Sequence, residues 1–212
     1  MGSPGNTHFT EIPSPSGVAA IIETPSVHHN VWKERSLFLL NFIKNPLRNA
    51  SVIPSSKTAS KAILTGLDWD KIKTVVELGP GSGTFTREIL SRCNPGTKVV
   101  LIELEDSYVE LLRAKFGNKV TVVHDSAHRM NEILHDLHFS HTDLIVSSLP
   151  FLQKQISRDI FAAILEQTKQ GAAFRFFTYM PPVMKWFYRG MPLHKVKFVL
   201  GNIPPMWIYG IN

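Results

Sequence analysis

The sequence predicts an α/β protein whose core is a doubly wound, seven-stranded, mostly parallel sheet, with amphipathic helices on its N-terminal side. Short apolar runs alternate with amphipathic segments from residue 73 onward, which is the pattern of successive βαβ units. A glycine-rich turn joins the first run to the first segment, as at the ligand-binding edge of such sheets. The last two runs follow each other closely, so we expect one antiparallel strand at the end of the sheet.

Seven runs combine β-branched, aromatic and other apolar residues, and each is bounded by turn-forming residues. The predicted strands are Lys73–Leu78, Lys98–Glu103, Val120–Val123, Asp143–Ser147, Ala172–Thr178, Lys195–Leu200 and Met206–Ile211. Between them, apolar residues recur at helical spacing. The predicted helices of the sheet domain are Thr84–Arg92, Asp106–Phe116, Ala127–Leu137 and Ile156–Lys169.

The chain divides into three predicted regions. Residues 1–27 are rich in Pro, Ser, Gly and Thr, which is typical of a flexible arm. Residues 28–66 form a segment of amphipathic helices, and residues 67–212 form the sheet domain. Within the middle region, Ser55 or Ser56 is placed to cap a helix over Lys57–Leu64.

The first amphipathic helix is expected to run from Asn30 to about Ile43, with aromatic and aliphatic residues on one face and Lys on the other. Such a helix can lie in a bilayer interface. Alternatively, its apolar face docks on its own domain. The candidate membrane-contacting residues are Trp32, Lys33, Phe38, Leu39, Phe42, Lys44 and Arg48.

Composition and charge narrow the class of protein. The single cysteine among 212 residues excludes an intramolecular disulfide framework and favours a reducing compartment. The sequence has no apolar run of about 18 residues, so we expect no membrane span. The net charge is +5 over residues 28–61, −3 over 74–168 and +6 over 169–212. Two basic ends favour a polyanionic partner, either membrane phosphates or nucleic acid, although a generic solubilising surface would carry the same charge.

The candidate site begins at the glycine-rich turn. Glu77 closes the first strand, Gly79, Gly81 and Gly83 follow at alternate positions, and Thr84 opens the first helix of the sheet domain. Glycine tolerates left-handed backbone angles and lets a ligand approach the main chain closely. The pattern predicts a site for a nucleotide-like ligand, and an ordinary tight turn is the alternative.

Polar residues follow three further strands at the same predicted edge of the sheet. Glu103, with Leu104 after it, is a candidate acceptor for the hydroxyls of a ribose, and Asp125, with Ser126 after it, is a candidate acceptor for an adenine amino group. The fourth strand is followed by a Ser-Ser-Leu-Pro-Phe sequence at residues 147–151.

These sequences resemble motifs I to IV of class I S-adenosylmethionine-dependent methyltransferases, which have a Rossmann-like sheet. Residues 147–151 are similar to the signature of the adenine dimethylase-like branch. Residues 45–48, 52–56 and 202–206 resemble bacterial phospholipid N-methyltransferases, which methylate phosphatidylethanolamine towards phosphatidylcholine. The resemblance implies S-adenosylmethionine as cofactor and S-adenosylhomocysteine as product. It also implies that residues 54–56 lie over the cofactor pocket, and we therefore expect residues 28–66 to act as a membrane-docking segment and lid.

The resemblance also assigns roles in catalysis and substrate binding. Ser147 and Ser148 would orient the lipid amine, and Tyr179 would guide it through its hydroxyl or through cation–π contact. The implied substrate-binding residues are Ser55, Ser56, Leu149, Pro150, Phe151 and Tyr179. Plain packing remains the alternative for both aromatic residues. We expect no metal site, because the histidines are irregularly placed.

The resemblance further implies a monomer that is cytoplasmic and peripheral on the inner face of the membrane, with phosphatidylethanolamine and anionic lipids as partners and no nucleic acid. Two other functions stay open. One is a ribosomal RNA adenine N6-methyltransferase, although such enzymes usually add a helical domain after the catalytic sheet. The other is a non-catalytic protein that binds S-adenosylmethionine at a membrane, and the intact set of glycines and carboxylates argues against it.

Overall fold

The computed structural model describes residues 54–149, 154–179, 181–182, 184, 188–200 and 205–212. Its strands form one seven-stranded sheet in the order β3-β2-β1-β4-β5-β7-β6. The strands are β1 (Thr74–Leu78), β2 (Lys98–Glu103), β3 (Thr121–His124), β4 (Leu144–Ser147), β5 (Ala173–Thr178), β6 (His194–Val199) and β7 (Met206–Ile211). The first five run parallel, and β7 is antiparallel to both β5 and β6. The predicted doubly wound sheet is therefore confirmed.

Every strand lies within one residue of its prediction. Residues 181–182 and 184 are helical, and five longer α-helices accompany the strands in the described part of the chain. They are α1 (Pro54–Ile63), α2 (Thr84–Leu90), α3 (Asp106–Phe116), α4 (Met130–Asp136) and α5 (Lys154–Lys169). The predicted arm, the helix expected from Asn30 to Ile43 and all seven candidate membrane residues lie outside the described residues, so they stay predictions.

Four helices differ from their predicted bounds: α5 begins at Lys154 instead of Ile156, and the other three differ for local reasons. Helix α1 starts at Pro54, because proline lacks only an amide hydrogen that the first helical turn leaves unpaired anyway. Helix α2 ends at Leu90, where the Arg92 amide turns back to the carbonyl of Ile89 in a tighter turn. The helix predicted from Ala127 begins as a 3-10 turn, and its regular part is α4.

Both faces of the sheet are buried, and this explains the unbroken apolar runs of its strands. Alternate residues go to opposite faces, so Val75 packs in one cluster while Val76 packs in the other. Helices α1, α2 and α3 cover the first face, and α4 and α5 cover the second. The end of the predicted docking segment, α1, thus also belongs to the core of the sheet domain.

The topology gathers the chemistry-bearing residues at one edge. Leu78 pairs with Ser147 and Glu103 pairs with His124, so the carboxyl ends of β1 to β4 are aligned. Because β7 is antiparallel to both β5 and β6, β6 runs in the same direction as β5. Its carboxyl end therefore lies at this edge, where Val199 pairs with Met206. Among the described residues, no helix has the length and apolarity that crossing a membrane requires.

Candidate active site

The glycine-rich turn between β1 and α2 is left-handed at all three glycines. The φ angles of Gly79, Gly81 and Gly83 are 66°, 53° and 75°. The Gly79 amide donates to the carbonyl of Ile102 at 3.0 Å, and the Gly83 amide donates to that of Pro80 at 2.9 Å. The alternating glycines therefore build a turn that residues with a side chain adopt only at a cost.

Each of the three glycines meets different surroundings. A Cβ at Gly83 would come 2.5 Å from the ring of Phe116, and a Cβ at Gly79 would come 2.6 Å from Cδ2 of Leu149. A Cβ at Gly81 would have no atom within 4 Å. Gly83 thus lets α3 pack closely and Gly79 lets Leu149 pack on the turn, whereas Gly81 faces open space. The Lys115 ammonium of α3 also holds the turn, because it donates to the Ser82 carbonyl at 2.6 Å.

Glu103 at the end of β2 is a buried carboxylate that three backbone amides hold. Its Oε2 accepts from Gly81 at 2.9 Å, and its Oε1 accepts from Leu104 at 2.9 Å and from Glu105 at 3.0 Å. Each carboxylate oxygen can accept more than one hydrogen bond, so the predicted role towards ribose hydroxyls remains compatible with these contacts. The tie to Gly81 is an additional role that the sequence did not reveal.

Asp125 after β3 is already paired. Its Oδ2 accepts from Nη1 of Arg129 at 2.6 Å, and its Oδ1 accepts from the amide of Ser126 at 2.7 Å. Sequence reasoning missed Arg129, although a separation of four residues would have suggested the ion pair. Leu104 is exposed beside Glu103. Asp125 therefore stays a predicted acceptor for adenine, with Arg129 fixing its orientation.

Glu77 is fully buried at the end of β1. Its Oε2 accepts from the hydroxyl of Thr86 at 2.6 Å, and its Oε1 has no hydrogen-bond partner among the described residues. Burial, with a smaller contribution from the negative charge of Glu103, raises the pKa of Glu77 from 4.5 to about 7, although the Thr86 hydrogen bond opposes the rise. A cation bound in the site would favour the ionised form of this carboxyl.

The end of β4 lies beside the glycine turn. Ser147 is buried, and the Ser148 amide donates to the carbonyl of Leu78 at 2.9 Å. The hydroxyl oxygen of Ser148 is buried and has no hydrogen-bond partner among the described residues. Tyr179 directly follows β5 at the same edge, and its ring meets Phe177 edge-on at 5.8 Å.

The other candidate substrate-binding residues are only partly covered by the described structure. Ser55 and Ser56 lie in the first turn of α1. Pro150 and Phe151 lie outside the described residues, so their predicted contacts with substrate stay predictions. Within the described ranges, no group of three or more His, Cys, Asp or Glu residues could hold a metal ion.

The described residues fit S-adenosylmethionine, which has a ribose, an adenine, a sulfonium and an ammonium. Open space faces Gly81, where the ligand can approach the backbone. The unpaired Oε1 of Glu77 and the unpaired hydroxyl of Ser148 are buried polar atoms of the kind that a ligand satisfies. The carboxylate of Glu103 suits a ribose diol, and Glu77 suits a ligand that carries positive charge.

A matched pair of variants separates two roles of the glycine turn, which are packing against α3 and binding of the ligand. Gly83→Ala should lower the free energy of unfolding by about 2–5 kcal/mol, because both the left-handed alanine and the displaced Phe116 are costly. Gly81→Ala should cost only about 1–2 kcal/mol but weaken S-adenosylmethionine binding at least about tenfold. Urea unfolding and titration calorimetry measure both quantities. Equal stability losses, or full affinity in Gly81→Ala, would contradict this assignment.

The raised pKa of Glu77 makes stability depend on pH. Between pH 4.5 and about 7 the folded chain holds a proton that the unfolded chain has lost, so the free energy of unfolding falls as the pH rises through this window. The loss attributable to Glu77 is about 3 kcal/mol and is complete above the window. The free energy of unfolding of Glu77→Gln, minus that of the unsubstituted protein, should therefore increase as the pH rises from 4.5 to 8. A difference between the two proteins that is constant with pH, in urea unfolding without ligand, would refute the assignment.

Known proteins share this sequence and architecture. Residues 33–181 match the ribosomal RNA adenine dimethylase family. An ornithine lipid N-methyltransferase from Singulisphaera acidiphila is 32% identical over 183 residues, which span 84% of this chain and 95% of that protein. A ribosomal RNA small subunit methyltransferase A from Mycoplasma mycoides is 43% identical over 56 residues, which span 26% of this chain and only 20% of that enzyme.

The fold also matches solved methyltransferases. Fibrillarin from Aeropyrum pernix, crystallised with natively bound S-adenosyl-L-methionine, aligns with a TM-score of 0.55 and 15% identity over 73% of this chain and 74% of that chain. At this identity the likeness establishes the fold. The match to the family extends over more than half of the sequence and includes the glycine turn, Glu103 and Asp125. The chain therefore belongs to the ribosomal RNA adenine dimethylase family and is an S-adenosylmethionine-dependent N-methyltransferase.

Proposed function

We propose that this enzyme methylates the primary amine of a membrane aminolipid, phosphatidylethanolamine, on the route to phosphatidylcholine. The observation that carries the lipid acceptor is the match to an ornithine lipid N-methyltransferase over 95% of that protein's length. Phosphatidylethanolamine is the proposed lipid because residues 45–48, 52–56 and 202–206 resemble phospholipid N-methyltransferases. The ribosomal RNA relative from Mycoplasma mycoides matches over 20% of its length. The chain therefore shares almost the whole length of a lipid enzyme but only a short part of this ribosomal RNA enzyme, which favours a lipid acceptor.

The chemistry of the acceptor fits the edge formed by β4 and β5. When bound, S-adenosylmethionine supplies an electrophilic methyl group and leaves as S-adenosylhomocysteine. An alkylammonium has no lone pair and titrates near ~10.4 in water, so the lipid amine has to lose a proton before it attacks. Burial of the amine beside the positive sulfonium of the bound cofactor would lower that pKa. The unpaired hydroxyl of Ser148 supplies a buried acceptor that would orient the neutral amine.

The charge of the chain supports a lipid surface as the place of reaction. Residues 169–212 contain six basic residues and no acidic one, which gives +6, although Arg175 among them is buried and cannot contact a surface. Each basic residue near an anionic leaflet contributes about 1 kcal/mol to binding. The proposal includes a monomer peripheral to the cytoplasmic face of the membrane, with the segment of residues 28–66 as anchor and lid and with anionic lipids as partners.

Ribosomal RNA is the second candidate acceptor. The family match favours it, because the family is that of ribosomal RNA adenine dimethylases. An adenine amino group would be methylated at the same edge of the sheet, and a basic surface also suits RNA. The two candidates differ in the acceptor and share the cofactor site.

Labelled S-adenosylmethionine with three separate acceptors tests the proposal. The acceptors are vesicles of phosphatidylethanolamine and phosphatidylglycerol, vesicles in which an ornithine lipid replaces the phosphatidylethanolamine, and small-subunit ribosomal RNA. Label is expected in phosphatidylethanolamine, as resolved by thin-layer chromatography, because its primary amine is the proposed methyl acceptor.

The control is Gly81→Val, whose branched side chain would fill the open space at the glycine turn and oppose its positive φ. This variant should transfer no label to any acceptor. Label in ornithine lipid alone would move the acceptor to that aminolipid. Label in ribosomal RNA adenine with none in lipid would overturn the proposal in favour of the second candidate.

A further inference from the structure

The carboxyl end of β6 carries two exposed apolar side chains. Phe198 is 38% exposed and Leu200 is 73% exposed. Leu104 and Leu111 are the other exposed large apolar residues in the described part of the chain, and Leu104 belongs to the active site. We call this apolar pair, together with Lys195 and Lys197 earlier in the strand, the β6 tip. An apolar pair rimmed by lysines is unlike an ordinary solvated edge.

The apolar pair of the β6 tip lies at the edge of the sheet that carries the active site. Phe198 pairs with Trp207, and Trp207 pairs with Thr178 at the carboxyl end of β5. Three strand-to-strand steps separate β6 from β4, which amounts to about 14 Å. A flat surface that touches the β6 tip therefore also lies close to the end of β4, where the acceptor amine is expected.

The β6 tip is held firmly by its own sheet. The ring of Phe198 lies on the ring of Trp207, with centroids 4.7 Å apart. Val199 is buried against Met206 on the opposite face, and helix α1 packs on β6. Because these contacts anchor the strand, they fix the positions of Phe198 and Leu200 relative to the rest of the sheet.

The charges around this apolar pair have one sign. Lys195 pairs with Tyr209 and Lys197 with Ile208, and the ladder has a bulge between the two lysines. Tyr209 and Ile208 lie on opposite faces, so the lysines flank the strand on both sides. Lysines and bulges also protect edge strands from pairing with other chains, so this arrangement has a second use that the experiment has to separate.

We propose that the β6 tip is a membrane-docking surface, on which Phe198 and Leu200 enter an anionic bilayer while Lys195 and Lys197 contact its headgroups. The occupant follows from charge complementarity, because residues 169–212 have no acidic residue. That the docked membrane supplies the substrate rests on the proposed function, whereas binding of the β6 tip to vesicles can be measured without catalysis. The tip fixes the orientation of the sheet, so that its active-site edge faces the membrane.

Two double variants of the full chain test the β6 tip, each with a matched control. Phe198→Ser with Leu200→Ser should weaken binding to phosphatidylethanolamine–phosphatidylglycerol vesicles at least about tenfold in a sedimentation assay. Its control is Leu111→Ser, which removes a leucine that is 41% exposed on α3 and should leave binding unchanged. Lys195→Glu with Lys197→Glu should lose affinity similarly. Its control, Lys98→Glu with Lys119→Glu, reverses two exposed lysines at the amino ends of β2 and β3.

Activity and folding measurements complete the test. Methylation of vesicles should fall with binding in both tip variants, whereas S-adenosylmethionine affinity and methylation of a monomeric, short-chain phosphatidylethanolamine should stay within about twofold. Retained cofactor affinity shows that a variant is folded, and the lysine variant serves if the apolar one is not. Added salt should weaken vesicle binding of the unsubstituted chain more than that of the lysine variant.

The outcomes separate this proposal from the proposed function. Tip variants that bind vesicles like the unsubstituted chain, or controls that lose as much affinity, overturn the docking surface even if lipid is methylated. Loss of a dimer in the tip variants with unchanged vesicle binding would assign the surface to a second copy of the chain and overturn it too. If tip-dependent vesicle binding is found but no lipid is methylated, the docking surface stands and the proposed function fails.

Discussion

The hydrogen bond between the Gly81 amide and the Glu103 carboxylate, 2.9 Å long, is the contact on which the active site depends. It joins the glycine turn after β1 to the end of β2. Because glycine has no side chain, the contact is made by a backbone amide. A carboxylate that accepts amide hydrogen bonds in a buried setting makes a strong, charge-assisted contact. With the turn held there, Leu149 packs on Gly79 and Phe116 packs under Gly83. The walls of the cofactor site therefore share one anchor.

Two carboxylates close together in the sheet have different surroundings and so can have different roles. Glu103 is held by backbone amides, whereas Glu77 is buried with one oxygen unpaired and its pKa raised to about 7. A cofactor with positive charge offsets the desolvation of Glu77. The cost of keeping this carboxyl buried in the free protein is then regained when the cofactor binds, which couples the charge of the ligand to the stability of the fold.

Much of the fold could be predicted because parallel strands buried on both faces leave unbroken apolar runs, and each strand was placed within one residue. The glycine turn was predictable from spacing alone. The 3-10 start at Ala127 and the tight end of α2 were not, because local turn geometry leaves a weak pattern. The contacts of Gly81 with Glu103 and of Gly83 with Phe116 join residues far apart in sequence, which no periodicity encodes. The candidate site was thus predictable as a set of residues, and its internal ties were not.

Amide hydrogen exchange at Gly81, in the protein without ligand, tests most directly whether Glu103 holds the glycine turn. The comparison is between the unsubstituted protein and Glu103→Ala, with the amide of Val76 in β1 as the internal reference. If Glu103 holds the turn, Gly81 exchanges at least about tenfold faster in the variant while Val76 is unchanged, since a charge-assisted hydrogen bond contributes about 1.5–3 kcal/mol. Equal exchange at Gly81 in both proteins would show that the turn is held without Glu103 and would contradict the account.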